Sequence, residues 1–228
     1  MNKLISSNEL VGYTVHAKDG DIGTLRELYF DDATWRIKHL VIDTGRWLPG
    51  RRVLLPPACI DRLHWEQRRL AVALTREQVR HSPAVGTDKP VAEQLKAERK
   101  PPHNWALSLA GEALAGVPEA LETPAFQPIN DNGRPFDPHL RTTRVVTGLT
   151  LRASDGAIGR IADIIVEDGS WEVRYLVVER DGGERSAVPA RVVKTIDVDD
   201  KVAVTDLPQR GVTTGFRHYR SEAAARMS

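Results

Sequence analysis

The stretch DGDIGTLRELYFDDATWRIKHLVID, residues 19–43, returns in nearly the same pattern as DGAIGRIADIIVEDGSWEVRYLVVE, residues 155–179. An offset of 136 positions aligns residues 12–43 with 148–179 without a gap. Gly12, Asp19, Gly20, Ile22, Gly23, Asp32, Trp35, Leu40 and Val41 meet Gly148, Asp155, Gly156, Ile158, Gly159, Asp168, Trp171, Leu176 and Val177. Over the quoted positions eight residues are identical, where unrelated segments of average composition share roughly one or two. The pattern marks an internal duplication, and its spacing is too long for a stacked solenoid. It implies two like domains with a segment between them.

Each copy has the punctuation of a small antiparallel β unit. Val11, Tyr13, Val15 and Ala17 alternate and run into Asp19-Gly20, a dipeptide that suits a type I′ hairpin because glycine tolerates positive φ. Ile22, Leu25, Leu28 and Phe30, matched by Ile158, Ile161, Ile164 and Val166, are spaced irregularly. Helix would fit that spacing, but Gly23 and Gly159 fall inside it. A bulged strand, with Gly20, Gly23, Gly156 and Gly159 as turn or bulge positions, explains both the glycines and the broken alternation. The acids of Asp31-Asp32-Ala33-Thr34 and Glu167-Asp168-Gly169-Ser170 read as turn residues that are solvated or accept local backbone N–H bonds, rather than as a metal site.

Trp35, Ile37, His39 and Val41 then alternate, with Leu40 and Ile42 on the other face, as in a strand buried inside a sheet. Trp171, Val173, Tyr175 and Val177 repeat this. Val53-Leu54-Leu55-Pro56 supplies a further strand. Leu63, Trp65, Leu70 and Val72 make a hairpin around Glu66–Arg69, and Thr75-Arg76-Glu77-Gln78 has the form of a capping box. The second copy keeps Ala187-Val188-Pro189 and a hairpin from Val192 to Val204. Five or six short strands with glycine bulges in each copy predict a small closed or nearly closed barrel.

The run D-G-D-I-G, then F-D-D-x-x-W-x-I-x-x-L-V-I-D-T-G-x-W-L-P-G-R-x-V-L-L-P, resembles the PRC-barrel family. That family is named for the H subunit of the purple bacterial photosynthetic reaction centre and is shared with the C-terminal domain of a ribosome maturation factor. The likeness covers residues 4–80 and, in the second copy, about 141–179. There Arg180-Asp181-Gly182-Gly183-Glu184 stands where the first copy has its W-L-P-G loop. The resemblance implies a mainly β fold: two small PRC-type antiparallel β-barrels, at 1–80 and 141–210. A Pro-rich, partly helical linker (81–140) joins them, and a mobile tail (211–228) follows. It also implies a docking module for larger assemblies, with no catalytic residues to carry over.

Composition agrees with a globular chain: 228 residues, 41% hydrophobic, 28% charged and a net charge of +1. Such a balance gives no field to attract nucleic acid or an anionic membrane. Cys59 is the lone cysteine, which precludes an intrachain disulfide and reads as a small buried residue. No apolar run approaches the roughly 18 residues of a spanning helix, so a cytoplasmic chain is expected. The seven histidines show no helical metal-site spacing, and no phosphate-binding or nucleophile motif is present. The expectation is no catalytic residue, no metal and no cofactor.

The segment Arg46-Trp47-Leu48-Pro49-Gly50-Arg51-Arg52 is the candidate partner-binding feature. A Trp, a Leu and three arginines combine contact area with carboxylate- or phosphate-gripping forks. The alternative is that Trp47 folds back over the barrel end while the arginines stay in water. In the linker, Pro90–Arg99 and Trp105–Leu121 read as helices and Pro124–Pro138 as turn-rich chain, long enough for the barrels to pair with each other or across a dimer. Three functions stay open: a protein-interaction module of unidentified partner, a ribosome- or RNA-associated factor, and an enzyme or ligand binder with a site between the barrels.

Overall fold

The computed structural model describes residues 3–84, Pro90 and 137–213. The linker helices expected at 90–99 and 105–121 lie outside the described residues, as does most of the expected tail. The chain is mainly β, and the same element order runs twice. In the first copy it is β1 (Leu4–Ser6), α1 (Ser7–Leu10), β2 (Thr14–Ala17), β3 (Gly20–Asp31), β4 (Arg36–Asp43), β5 (Arg52–Leu55), β6 (Ile60–His64), β7 (Arg69–Val72) and α2 (Arg76–Arg80). In the second it is β8 (Leu140–Thr142), α3 (Thr143–Val146), β9 (Thr150–Ala153), β10 (Gly156–Glu167), β11 (Glu172–Glu179), β12 (Arg185–Pro189), β13 (Val193–Asp197), β14 (Val202–Thr205) and α4 (Gln209–Thr213).

The bulged-strand reading holds in both copies. The β2–β3 register steps from Val15↔Gly23 to His16↔Asp21, skipping Ile22, and β9–β10 steps past Ile158 in the same way. Gly23 sits at φ +144 with the Asp43 carbonyl so close that a Cβ would lie 2.0 Å from its oxygen. Only glycine lets these two backbones approach. The capping box is also present, with Thr75 and Gln78 each accepting the other's backbone N–H.

Three expectations need correction. Ala17 pairs with Gly20, so the inner turn residues are Lys18 and Asp19, and neither has positive φ; this is not a type I′ turn centred on Asp19-Gly20. The Asp19 carboxylate instead accepts the Arg76 N–H at the start of α2 (2.7 Å), as Asp155 accepts that of Gln209 (2.8 Å). Trp35 and Trp171 do not begin strands. They close the preceding turns at φ +58 and +52, a conformation that bulky residues rarely adopt.

The third correction concerns closure. The ladders curl but do not close into barrels, because β5 does not pair with β6. Its open edge is met by the chain beyond α2, where Leu54 N–H donates to the Pro83 carbonyl at 2.9 Å. Nor is the pairing wholly antiparallel, since β2–β7 and β9–β14 run parallel.

Instead of two separate barrels, the 14 strands among the described residues join one continuous sheet through reciprocal exchange. β1 pairs with β10 of the second copy (Leu4↔Glu167, Ile5↔Val166, Ser6↔Ile165). β8 pairs with β3 of the first at the equivalent positions (Leu140↔Asp31, Arg141↔Phe30, Thr142↔Tyr29). The two tryptophan turns face each other. Val173 N–H donates to the Trp35 carbonyl and Ile37 N–H to the Trp171 carbonyl, both 2.7–2.8 Å, and Arg36 pairs with Glu172. One apolar cluster takes residues from both copies, including Ile5, Leu10, Phe30, Trp35, Val146 and Val166. Each such side chain fully buried contributes roughly 1.5–3 kcal/mol. A smaller cluster sets Leu140 from the second arm against Tyr29, Val41 and Leu54 of the first copy.

Candidate functional site

The acidic turns help to hold the exchanged arms. Asp31 behaves as the sequence reading expects: its carboxylate accepts the Ala33 and Thr34 N–H groups at 3.0 and 2.8 Å, with Lys38 at 3.4 Å. Asp32 reaches the other copy, with His139 and Arg141 both at 2.8 Å. Asp168, its counterpart, accepts the Lys3 N–H at 2.8 Å. In the second copy Asp163 receives the first arm: the hydroxyls of Ser6 and Ser7 and the N–H of Asn8 all donate to it. Ser6 also caps α1 through Glu9 N–H, and Thr142 caps α3 through Val145 N–H.

Burial pushes the Asp31 carboxyl up, but the Thr34 N–H and Lys38 outweigh it and hold the group below the ordinary value of 3.8. A depressed folded pKa gives stability that is present above the unfolded pKa and lost as pH falls through the folded one. Asp31→Asn is therefore expected to lower the Tm relative to wild type at pH 7. That gap should narrow as the pH falls below about 4. A gap that stays constant from pH 7 to pH 2.5 in thermal scans contradicts this.

The loop between β4 and β5 is the site singled out by sequence. Its foot is Thr44, buried, whose hydroxyl oxygen lies 2.7 Å from both the Leu48 and Arg51 carbonyls and shares its proton between them. Thr44 N–H donates to Arg51 O, and Trp47 N–H to Thr44 O. Trp47 folds back, half-buried, against the core. The Arg76 guanidinium stands 4.9 Å from its ring centroid, a cation–π contact, and Arg76 is itself placed by the Asp19–Arg76 bond described above. Arg51 Nη2 donates to the Ser82 carbonyl at 2.9 Å. Leu48 is half-buried, while Arg46, Pro49, Gly50 and Arg52 are exposed.

Trp47 and Arg51 thus support the loop from below, and Arg46 and Arg52 face water. At the loop's root the Gly45 N–H, then Arg26 and Arg52, hold the Asp43 carboxyl below its ordinary range against the opposing effect of burial. Loop and root form a cationic rim on an ordered turn. Such a rim can grip an acidic group; it offers no activated nucleophile.

Groups with catalytic or metal-binding potential are distributed elsewhere. Cys59 is buried, and burial pushes its thiol up to about 11, so it stays protonated at neutral pH. His16 meets Asp21 at 2.7 Å and His81 meets Glu77 at 3.0 Å, and each carboxylate is shared with an arginine, Arg69 and Arg80 respectively. Among the described residues no group of three His, Cys, Asp or Glu could hold a metal ion. A cleft of about 680 Å³ lies where the copies meet, lined by Leu4, Trp35, Glu167, Arg174, Tyr175 and Arg191 among others. Its Arg174 is bound to Glu167 at 2.8 Å and Glu172 at 3.1 Å. No helix among the described residues is long and apolar enough to cross a membrane.

The arms were missed by the sequence reading, although a signal exists. The offset of 136 extends upstream to residue 4, matching Leu4, Ser6, Ser7 and Leu10 with Leu140, Thr142, Thr143 and Val146. These are two apolar residues around a pair of hydroxyls, the first of which caps the helix.

The bulged strand β3, the capping box and the ordered β4–β5 loop all fall within one family match. Residues 2–78 match the family described as the PRC-barrel domain, so the resemblance drawn from D-G-D-I-G and the W-L-P-G loop is borne out for the first copy. No curated protein matches the chain.

Proposed function

We propose that this chain, whose residues 2–78 match a PRC-barrel domain, acts as a noncatalytic protein-interaction module that presents the 44–52 loop to a partner. The observation that carries this reading is the division of labour within the loop. Thr44, Trp47 and Arg51 are tied down, so that Arg46 and Arg52 are offered from a turn already ordered. A pre-ordered loop loses little conformational entropy on binding, and arginine forks suit carboxylates. The second copy has the shorter Arg180–Glu184 turn at this place, so the partner meets the first copy. A link to photosynthetic or other membrane complexes rests on family analogy.

The test is affinity capture from native lysate, with and without nuclease, comparing wild type with Arg46→Ala, Arg52→Ala. Both side chains are exposed, so the variant should keep wild-type stability within about 0.5 kcal/mol. A protein that survives nuclease and is lost with the variant supports the module. Ribosomal or nucleic-acid material that nuclease removes, and that salt releases, would shift the reading to an RNA-associated factor. A partner retained equally by the variant removes the loop from the interface.

A further inference from the structure

The place filled by the rigid loop in the first copy is built differently in the second. A cleft of about 660 Å³ opens there, bounded by Thr147–Thr150, the bulge at Ala157–Ala162 and Glu179–Asp181. Three substitutions between equivalent positions explain it. Arg26, which in the first copy crosses to Asp43 at 3.2 Å, is replaced by Ala162. Thr24 is replaced by Arg160. Thr44, whose hydroxyl closes the first loop, is replaced by Arg180. The second loop closes by backbone alone, Arg180 N–H to Glu184 O at 2.9 Å and Gly183 N–H to Arg180 O at 3.0 Å. The side chain at position 180 is therefore not needed to hold the turn, and it lines the cleft.

Both arginines lie on the cleft without a carboxylate partner among the described residues. Arg160 sits in one ladder row with Thr150 on β9 and Glu179 on β11. Its guanidinium stands over Gly148, where a Cβ would come within 3.0 Å of Nη2. Glu179, which also lines the cleft, is paired with Arg185 at 2.8 Å. Arg180 is half-buried, and its Nε is shielded from solvent with no acceptor. A shielded N–H donor left unmade is costly, and an anion that accepts from it recovers that cost. Asp181 is the second carboxylate of the lining, and it is exposed.

We propose that this cleft is an oxyanion site in which Arg160 and Arg180 grip a carboxylate or phosphate group. Two planar forks lining one cleft are suited to bidentate recognition of either. The site is independent of the 44–52 loop, and its failure would leave the loop reading intact.

The experiment is a titration of the full chain followed by backbone amide NMR shifts, using inorganic phosphate in one arm and acetate in the other. Ionic strength is held constant with chloride. The expected result is saturable shifts confined to Gly148, Ala157, Gly159 and Asp181. Saturation with phosphate alone assigns a phosphate site, and saturation with both assigns a general oxyanion site. Arg180→Met should weaken binding about tenfold or more, the loss of one charge-assisted hydrogen bond or its equivalent. Arg160→Lys, which keeps charge but loses the fork, tests the same point should Arg180→Met fold poorly. Shifts that grow linearly without saturating, or that saturate identically in the variants, overturn the proposal.

Discussion

Replacing Gly23 by alanine should cost about 3 kcal/mol or more and lower the Tm by roughly ten degrees. A Cβ there would lie 2.0 Å from the Asp43 carbonyl oxygen and 2.9 Å from Thr44 Cα. The obstruction is backbone on both counts, so no side chain can swing aside. Relief requires moving β3 away from the end of β4, which also unseats Thr44 and the loop it holds. Gly45→Ala is the matched control. Gly45 is at φ +54, and a Cβ added there would meet nothing within 4 Å, so only the left-handed backbone is penalised, by about 1 kcal/mol. Thermal unfolding followed by circular dichroism separates the two. Equal losses for the two variants would mean that the close approach at Gly23 contributes nothing beyond its φ.

Ile5→Asp is expected to have a comparable or larger effect, about 3–5 kcal/mol. Ile5 is 1% exposed within the cluster that spans both copies, although it belongs to a three-residue strand near the start of the chain. Its neighbour Leu4 is 48% exposed, and Leu4→Thr should change stability by no more than about 0.5 kcal/mol. Because the arm pairs with β10, the damage from Ile5→Asp should fall on the second copy as much as the first. A denaturant titration should show one cooperative transition moved to lower denaturant, rather than one half unfolding ahead of the other.

The sequence was legible where a residue type has few uses. Gly23 and Gly159 announced the bulge because glycine weakens a strand unless another backbone must pass close by, and the structure places a carbonyl where a Cβ would be. Thr75 and Gln78 announced a capping box through their spacing and formed it. Asp19 misled because it has two uses: Asp-Gly is a hairpin signal, yet here the carboxylate serves a helix start 57 positions away. Trp35 misled for a related reason. Its place in the alternation reads as strand, but its N–H closes the turn onto the Asp31 carbonyl and its own carbonyl accepts from Val173 of the other copy.

Closure could not be read from strand patterns. Alternation specifies which face is buried and leaves the partner of an edge strand open. Of the loop, composition marked the segment as unusual. It could not tell the supports, Trp47 and Arg51, from the exposed pair, Arg46 and Arg52, because that depends on Arg76 and Ser82 arriving from α2 and the chain after it.

The two copies are interlocked through exchanged arms rather than joined as independent barrels, and native-state amide hydrogen exchange of wild type and Ile5→Asp tests this most directly. Ile5→Asp is expected to strip protection from Ile165–Glu167, more than 150 positions away in sequence and paired with β1. Loss of protection confined to residues 3–80, with Ile165–Glu167 exchanging as in wild type, would contradict the interlock.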